Sequence, residues 1–155
     1  MPELVVIRPA RLADATALAA LCFALWPESP LEEHAREIEA ILSGQARTTL
    51  PLVYLVADAL NGTLAGFVET GLRSHADGCD TAQPVGFLEG WYVAPAFRRQ
   101  GIGRRLIAAA EDWARAQSCQ EMASDTWIDH ELSQRAHTAL GFQIVDRCIH
   151  FRKSL

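Results

Sequence analysis

The sequence predicts a single α/β (α+β) domain over residues 1–155, with a mixed, mostly antiparallel sheet flanked by helices. Three observations carry this expectation. Asn61-Gly62 is a strong hairpin signal between two apolar runs, a Gly-rich turn after a third run opens directly into an amphipathic helix, and a chain of 155 residues that is half apolar is enough for one core.

Leu4 to Arg8 is a short β-branched run and reads as the first strand. Asp14 is placed to cap a helix with the apolar stripe Leu18, Leu21, Cys22 and Leu25, which Trp26-Pro27 ends. Ser29-Pro30-Leu31-Glu32 has the form of a capping box with proline at the first helical position, opening a second helix through Ile38, Ile41 and Leu42 to Gly44. Leu52–Ala57 and Leu64–Thr70 flank Asp58 to Gly62 and should pair antiparallel. A polar loop from Arg73 to Gln83 leads into a strand from Val85 to Val93, completing a meander.

Ile102 to Ala116 carries Ile102, Leu106, Ala109, Ala110 and Trp113 on one face, as a helix packed on a sheet does. A short strand follows at Glu121–Asp125, then a helix from Glu131 to Leu140 stopped by Gly141, then an alternating run, Phe142 to Phe151, expected to be the last strand. The crossover from the strand ending at Val93 to the short strand makes the sheet mixed.

The functional signal lies at Phe87-Leu-Glu-Gly-Trp-Tyr-Val93 and the turn behind it, Arg98-Arg-Gln-Gly-Ile-Gly-Arg-Arg105. Glycines at 101 and 103 let backbone approach a ligand, and the free amides of a helix start favour phosphate. Arg98, Arg99, Arg104 and Arg105 add charge, so a pyrophosphate is the natural guest. A dinucleotide fingerprint would need glycine where Leu106 stands, and a P-loop would need Gly-Lys-Ser/Thr, which is missing.

Net charge is −5 with the acids scattered, which argues against nucleic acid and for a small cationic partner. Cys22, Cys79, Cys119 and Cys148 are widely spaced without a C-x-x-C pair and read as reduced thiols with no metal site. The N-terminal apolar run is broken by Arg8 and Arg11, so neither signal peptide nor membrane span is expected, and a cytoplasmic location follows.

Arg98-x-x-Gly101-x-Gly103, the element order and the Ala139-Leu-Gly-Phe142 helix ending resemble the GNAT-type acyl-CoA N-acyltransferase fold over the whole chain. Leu25-Trp-Pro27, Phe87-Leu-Glu-Gly90, Glu121-Met-Ala-Ser-Asp-Thr126 and His137-x-x-Leu-Gly-Phe142 together resemble bacterial aminoglycoside 6′-N-acetyltransferases. The resemblance implies acetyl transfer from acetyl-CoA to an aminoglycoside 6′-amine, antibiotic resistance, and a homodimer joined through the last strand. One departure is the loop Ser74-His-Ala-Asp-Gly78, which lacks the tyrosine such enzymes often carry there. Another polyamine or protein amine as acceptor, or a non-catalytic coenzyme-A-binding module, are the competing readings.

The resemblance assigns coenzyme contacts to Arg98, Arg99, Gln100, Gly101, Ile102, Gly103 and Arg104, to Ser133, and to the backbone of Trp91 and Val93, where the strand splays to receive pantetheine. Glu89 is implied as the base for the ammonium, although a strand carboxylate facing solvent is its plain reading. Asp125 is expected to bind the acceptor ammonium or assist as base, or else to cap the segment after it. His137 stands where relatives protonate the thiolate, but a helix-face histidine also serves packing. Trp26, Glu28, Glu32 and Glu33 complete an acidic acceptor cleft with Glu89 and Asp125.

Overall fold

The computed structural model of the protein describes residues 4–46 and 48–155. Five strands form one sheet in sequential order: β1 (Val6–Pro9), β2 (Leu52–Asp58), β3 (Leu64–Arg73), β4 (Val85–Val93) and β5 (Met122–Ser124). The first three pairings are antiparallel and β4–β5 is parallel, joined by the crossover helix α3 (Ile102–Ala116). The mixed sheet with one crossover is thus as expected from the order of elements.

Strand alternation splits the core into two layers. Leu55, Ala57, Ala65, Val68 and Leu88 face α3, where Leu106, Ile107 and Ala110 are fully buried. Tyr54, Val56, Leu64 and Phe67 face the opposite side, covered by Leu18, Ala19 and Cys22 of α1 (Ala15–Leu25) and by Ile38 of α2 (Leu31–Leu42). Each buried leucine or isoleucine of this kind removes apolar area worth about 1.5–3 kcal/mol.

Local details depart from the sequence expectations. Asp14 stands at the N-cap position of α1, but its side chain makes no cap bond. Its carboxylate instead accepts from the Arg8 guanidinium (2.7 and 2.9 Å) and the Arg11 amide (2.7 Å). The capping box at Ser29 does not form: α2 begins after Pro30, with no side-chain cap. The Asn61-Gly62 turn is a longer loop closed by the Ala59 amide donating to Thr63 O (3.0 Å), with Leu60 at φ 62° and Gly62 at φ 83°.

The largest departure is at the C-terminus. Phe142 to Phe151 forms no strand; after α4 (Glu131–Ala139) the chain runs on with Ile144, Val145, Ile149 and Phe151 exposed. A strand needs a neighbour for its amides and carbonyls. The strand next to the crossover, β5, is only three residues long and pairs on one side with β4. Alternating hydrophobicity shows that a segment can be a strand and says nothing of where its partner lies.

Candidate functional site

β4 is the strand around which the site is assembled. Its register with β3 shifts by one residue: Glu69 lies opposite Gly90 and Thr70 opposite Leu88, so Glu89 is the extra residue of a bulge. Leu88 packs with α3, whereas a Cβ at Gly90 would press on the Trp26 ring on the α1 side. The bulge therefore sends Glu89 and Gly90 to the same face, and Glu89 joins the wall of a cavity there.

That cavity, about 290 Å³, is lined by Cys22, Trp26, Glu28, Ser29, His34, Glu37, Ile38, Tyr54, Glu69 and Glu89. The acidic lining, Trp26 and Glu28 are where the sequence expectations put an acceptor cleft. Glu32 and Glu33 do not line it; the buried His34 and the exposed Glu37 of α2 do. His34 Nε2 meets Trp26 O at 3.0 Å and its ring stacks on Trp26, which in turn meets Phe67 edge-on.

Both Glu89 oxygens accept from Arg73, at 2.9 and 2.7 Å, and the Arg73 guanidinium lies 3.5 Å over the Phe87 ring. This ion pair raises the Arg73 pKa. The sequence alone does not single out Glu69, which sits in a run that reads as buried strand. Burial pushes its carboxyl up to about 7, with the Glu89 and Glu37 charges adding and the nearby Tyr54 hydroxyl partly offsetting them. Burial likewise pushes the Cys22 thiol up to about 12.

On the other side of β4 the sheet opens. β5 pairs only with Gly86, Phe87 and Leu88, while β4 continues to Val93. Among the described residues, the edge of β4 from Glu89 onward is thus without a strand neighbour on that side. Beyond it lies the start of α3, which has no side-chain cap. Gly101 holds φ 77° with open space where a Cβ would be, and Arg99 holds φ 62°. Arg105 is the first residue to bond back, its amide donating to Gly101 O (3.1 Å), so the Ile102, Gly103 and Arg104 amides have no helical acceptor.

The arginines divide. Arg98 Nε donates to Val93 O (2.8 Å) and Arg105 donates to Val5 O (2.8 Å), so these two brace the turn and the β1 side. Arg99, Gln100 and Arg104 remain beside the helix start, Arg99 and Arg104 in no ion pair among the described residues. Gly103 has a second reason to lack a side chain: a Cβ there would come 2.9 Å from Trp91 Cζ2. Trp91 packs with the α3 layer, and its Nε1 is buried without a hydrogen-bond partner.

Asp125 follows β5 and is exposed, outside the cavity lining but close enough to help raise the Arg73 pKa. His137 on α4 has both ring nitrogens engaged. Nδ1 donates to Ser133 O (2.7 Å), and Nε2 lies 2.9 Å from Ser124 Oγ, which also donates to Leu88 O (3.2 Å). Its ring meets Trp91 and Phe142 edge-on. The hydroxyl of Ser133 reaches His137 Nδ1 at 3.4 Å. Among the described residues no three His, Cys, Asp or Glu side chains are arranged to hold a metal ion, and no helix is long and apolar enough to cross a membrane.

An opened parallel strand pair beside an uncapped Gly-rich helix start is the frame of an acyl-coenzyme A site, and the chain belongs to the acetyltransferase (GNAT) family, whose pattern matches residues 14–142. Aminoglycoside N(6′)-acetyltransferase type 1 of Klebsiella aerogenes is 41% identical over 150 residues, 97% of each chain. The protein of the same name from Serratia marcescens is 43% identical over 137 residues, 88% of this chain and 90% of its own. Among solved structures, AAC(6′)-Iy in complex with the bisubstrate analogue CoA-S-monomethyl-acetylneamine superposes with a TM-score of 0.84 at 37% identity, covering 98% of this chain and 99% of that one.

Proposed function

We propose that this protein transfers the acetyl group of acetyl-CoA to the 6′-amine of aminoglycoside antibiotics within a ternary complex, and so confers resistance. The observation that carries the reading is the arrangement around β4: an acidic cavity on the α1–α2 side at Glu89 and Gly90, and an open edge leading to the α3 start on the other. A cationic acceptor suits the first, and a pyrophosphate suits the second. The relatives named above support the pairing of the two.

On this reading the amides of Gly101 to Arg104 hold the pyrophosphate, with Arg99, Gln100 and Arg104 beside it. The Trp91–Val93 edge of β4 pairs with pantetheine as an added strand would. Glu89 and the cavity carboxylates receive the acceptor, Trp26 gives it a ring to lie on, and Asp125 reaches it from the end of β5. His137, through Ser124, supplies the proton to the departing thiolate. The protein works in a reducing cytoplasm, as its four free cysteines suit, and is a homodimer in which the exposed Phe142 to Phe151 segment pairs with a second copy.

The test is thiol release from acetyl-CoA with kanamycin or tobramycin against a 6′-hydroxyl analogue. Turnover only of the 6′-amines is the expected result. The absence of a tyrosine between Arg73 and Gly78 favours a second reading, another polyamine or a protein amine as acceptor. Equal release with both sugars, or release only with peptide and polyamine amines, would establish that reading instead. Sedimentation giving twice the 17.0 kDa chain mass would support the dimer.

A further inference from the structure

Two carboxylates from adjacent strands face the acceptor cavity, and they are not equivalent. Glu89 is brought there by the bulge and is held at both oxygens by Arg73. Glu69 shares its strand face with Phe67, lies opposite Tyr54 on β2 and Gly90 on β4, and makes no ion pair among the described residues. Because Gly90 has no side chain, β4 contributes nothing that covers Glu69 at that level. A carboxylate held by a guanidinium fork is fixed in orientation and keeps further lone pairs that can accept from an ammonium, whereas an unpaired one at the cavity wall is free to take a proton.

We propose that Glu69 accepts the ammonium proton of the acceptor, with Glu89 as the Arg73-held anion that orients it. The inference rests on the aminoglycoside reading for the identity of the amine and deepens it. One proton of the ammonium passes to a Glu69 oxygen, leaving a neutral nitrogen. Its lone pair forms the C–N bond at the thioester carbonyl, the C–S bond breaks with its electron pair on sulfur, the sulfur takes a proton from His137 through Ser124, and the second nitrogen proton passes to solvent, from which His137 is reprotonated. Glu69 then releases its proton to solvent, which restores the site.

The titratable groups that share the cavity with Glu69 bear on how this behaves with pH: Cys22 from α1, His34 and Glu37 from α2, Glu28 from the loop before it, Tyr54 from β2, and Glu89 from β4 with its partner Arg73. Burial first, then the Glu89 and Glu37 charges, brings its pKa up to about 7, where a general base is most effective. The base works deprotonated, so the rate should climb as pH rises through that value. Glu37 raises it and Tyr54 lowers it, which provides two handles of opposite sign.

The experiment is the kcat/KM profile of the full-length enzyme for kanamycin from about pH 5.5 to about pH 9, with coenzyme A affinity followed by calorimetry. Wild type should show a rising limb with its midpoint near 7. Glu69→Gln should lose that limb and about 10²–10⁴-fold in rate at unchanged coenzyme A affinity. Tyr54→Phe should move the midpoint up and Glu37→Gln should move it down, which decides the matter even where Glu69→Gln does not fold. Glu89→Gln should keep a limb, displaced to lower pH, and raise KM. A limb that survives in Glu69→Gln, or a midpoint indifferent to Tyr54 and Glu37, would overturn the assignment. A wild type that acetylates only other amines would refute the acceptor reading, and the same profiles on that amine then decide Glu69.

Discussion

The Arg73 guanidinium grips both oxygens of Glu89 with its central carbon 3.5 Å from the centre of the Phe87 ring, so the carboxylate that faces the acceptor cavity already has a cationic partner. An incoming ammonium must compete with that partner. The Arg73 side chain is 44% exposed and that of Glu89 29%, and a pair this open to solvent is worth about 1 kcal/mol or less to folding. Arg73→Gln should therefore leave thermal stability nearly unchanged. It should lower the KM for a cationic acceptor by roughly twofold to tenfold at low salt, with the gain shrinking as salt is added. A KM that stays put or rises would exclude competition for Glu89.

Gly101 and Gly103 should fail in different ways. Alanine at Gly101 meets open space but must hold φ near 77°, a strain of about 1–2 kcal/mol, and its methyl would stand in the path of a phosphate. Alanine at Gly103 meets the Trp91 indole and must displace it. Both variants should weaken coenzyme A in calorimetry, while only Gly103→Ala should change the tryptophan fluorescence and near-ultraviolet circular dichroism of the free protein. The same spectral change in both would contradict the contact with Trp91.

His137 and Ser124 form one unit with the end of β5. If the thiolate receives its proton from His137 through Ser124, then Ser124→Ala and His137→Phe each remove the same path. Each should slow turnover at saturating substrate, and the double variant should be little slower than either single one. Multiplicative losses in the double variant would show independent roles and reduce His137 to a packing residue between Trp91 and Phe142.

Arg8 ties β1 to α1 and β2 through Asp14 (2.7 Å) and Asp58 (2.9 Å). The hydrogen bond to Arg8 holds the Asp14 carboxyl below its usual range, and the Leu60 amide followed by Arg8 does the same for Asp58. Groups depressed on folding stabilise the protein above their ordinary pKa and lose that contribution as pH falls through the lowered value. Asp14→Asn should cost about 1–3 kcal/mol near neutrality and flatten the stability curve on the acid side. Equal losses at pH 7 and at about pH 3 would assign the effect to packing and not to charge.

Much of this was legible in the chain itself. The spacing of Ile102, Leu106 and Ala110, the glycines at 101 and 103, and the runs around Asn61-Gly62 specify which segments are helix, turn and strand, because period and turn chemistry are local properties. Glu89 stood out for the same reason, as a carboxylate inside a large apolar strand. The start of α2 differs from the sequence expectation because Ser29 has the residue type of a cap but α2 is capped at Pro30 without a side-chain hydrogen bond.

What the sequence by itself determined, then, is the order of elements, the phosphate-suited turn and the presence of acidic side chains near Trp26. Only the tertiary structure decided which of those acids share a cavity: the bulge that turns Glu89 toward Gly90, the register that sets Glu69 between Tyr54 and Gly90, and the helix face that brings in Glu37 and leaves Glu32 and Glu33 outside. Nor could alternation alone provide Phe142 to Phe151 with a neighbouring strand. Pairing, register and the charge felt across a cavity depend on groups distant in the chain, and a local pattern carries no information about its partner.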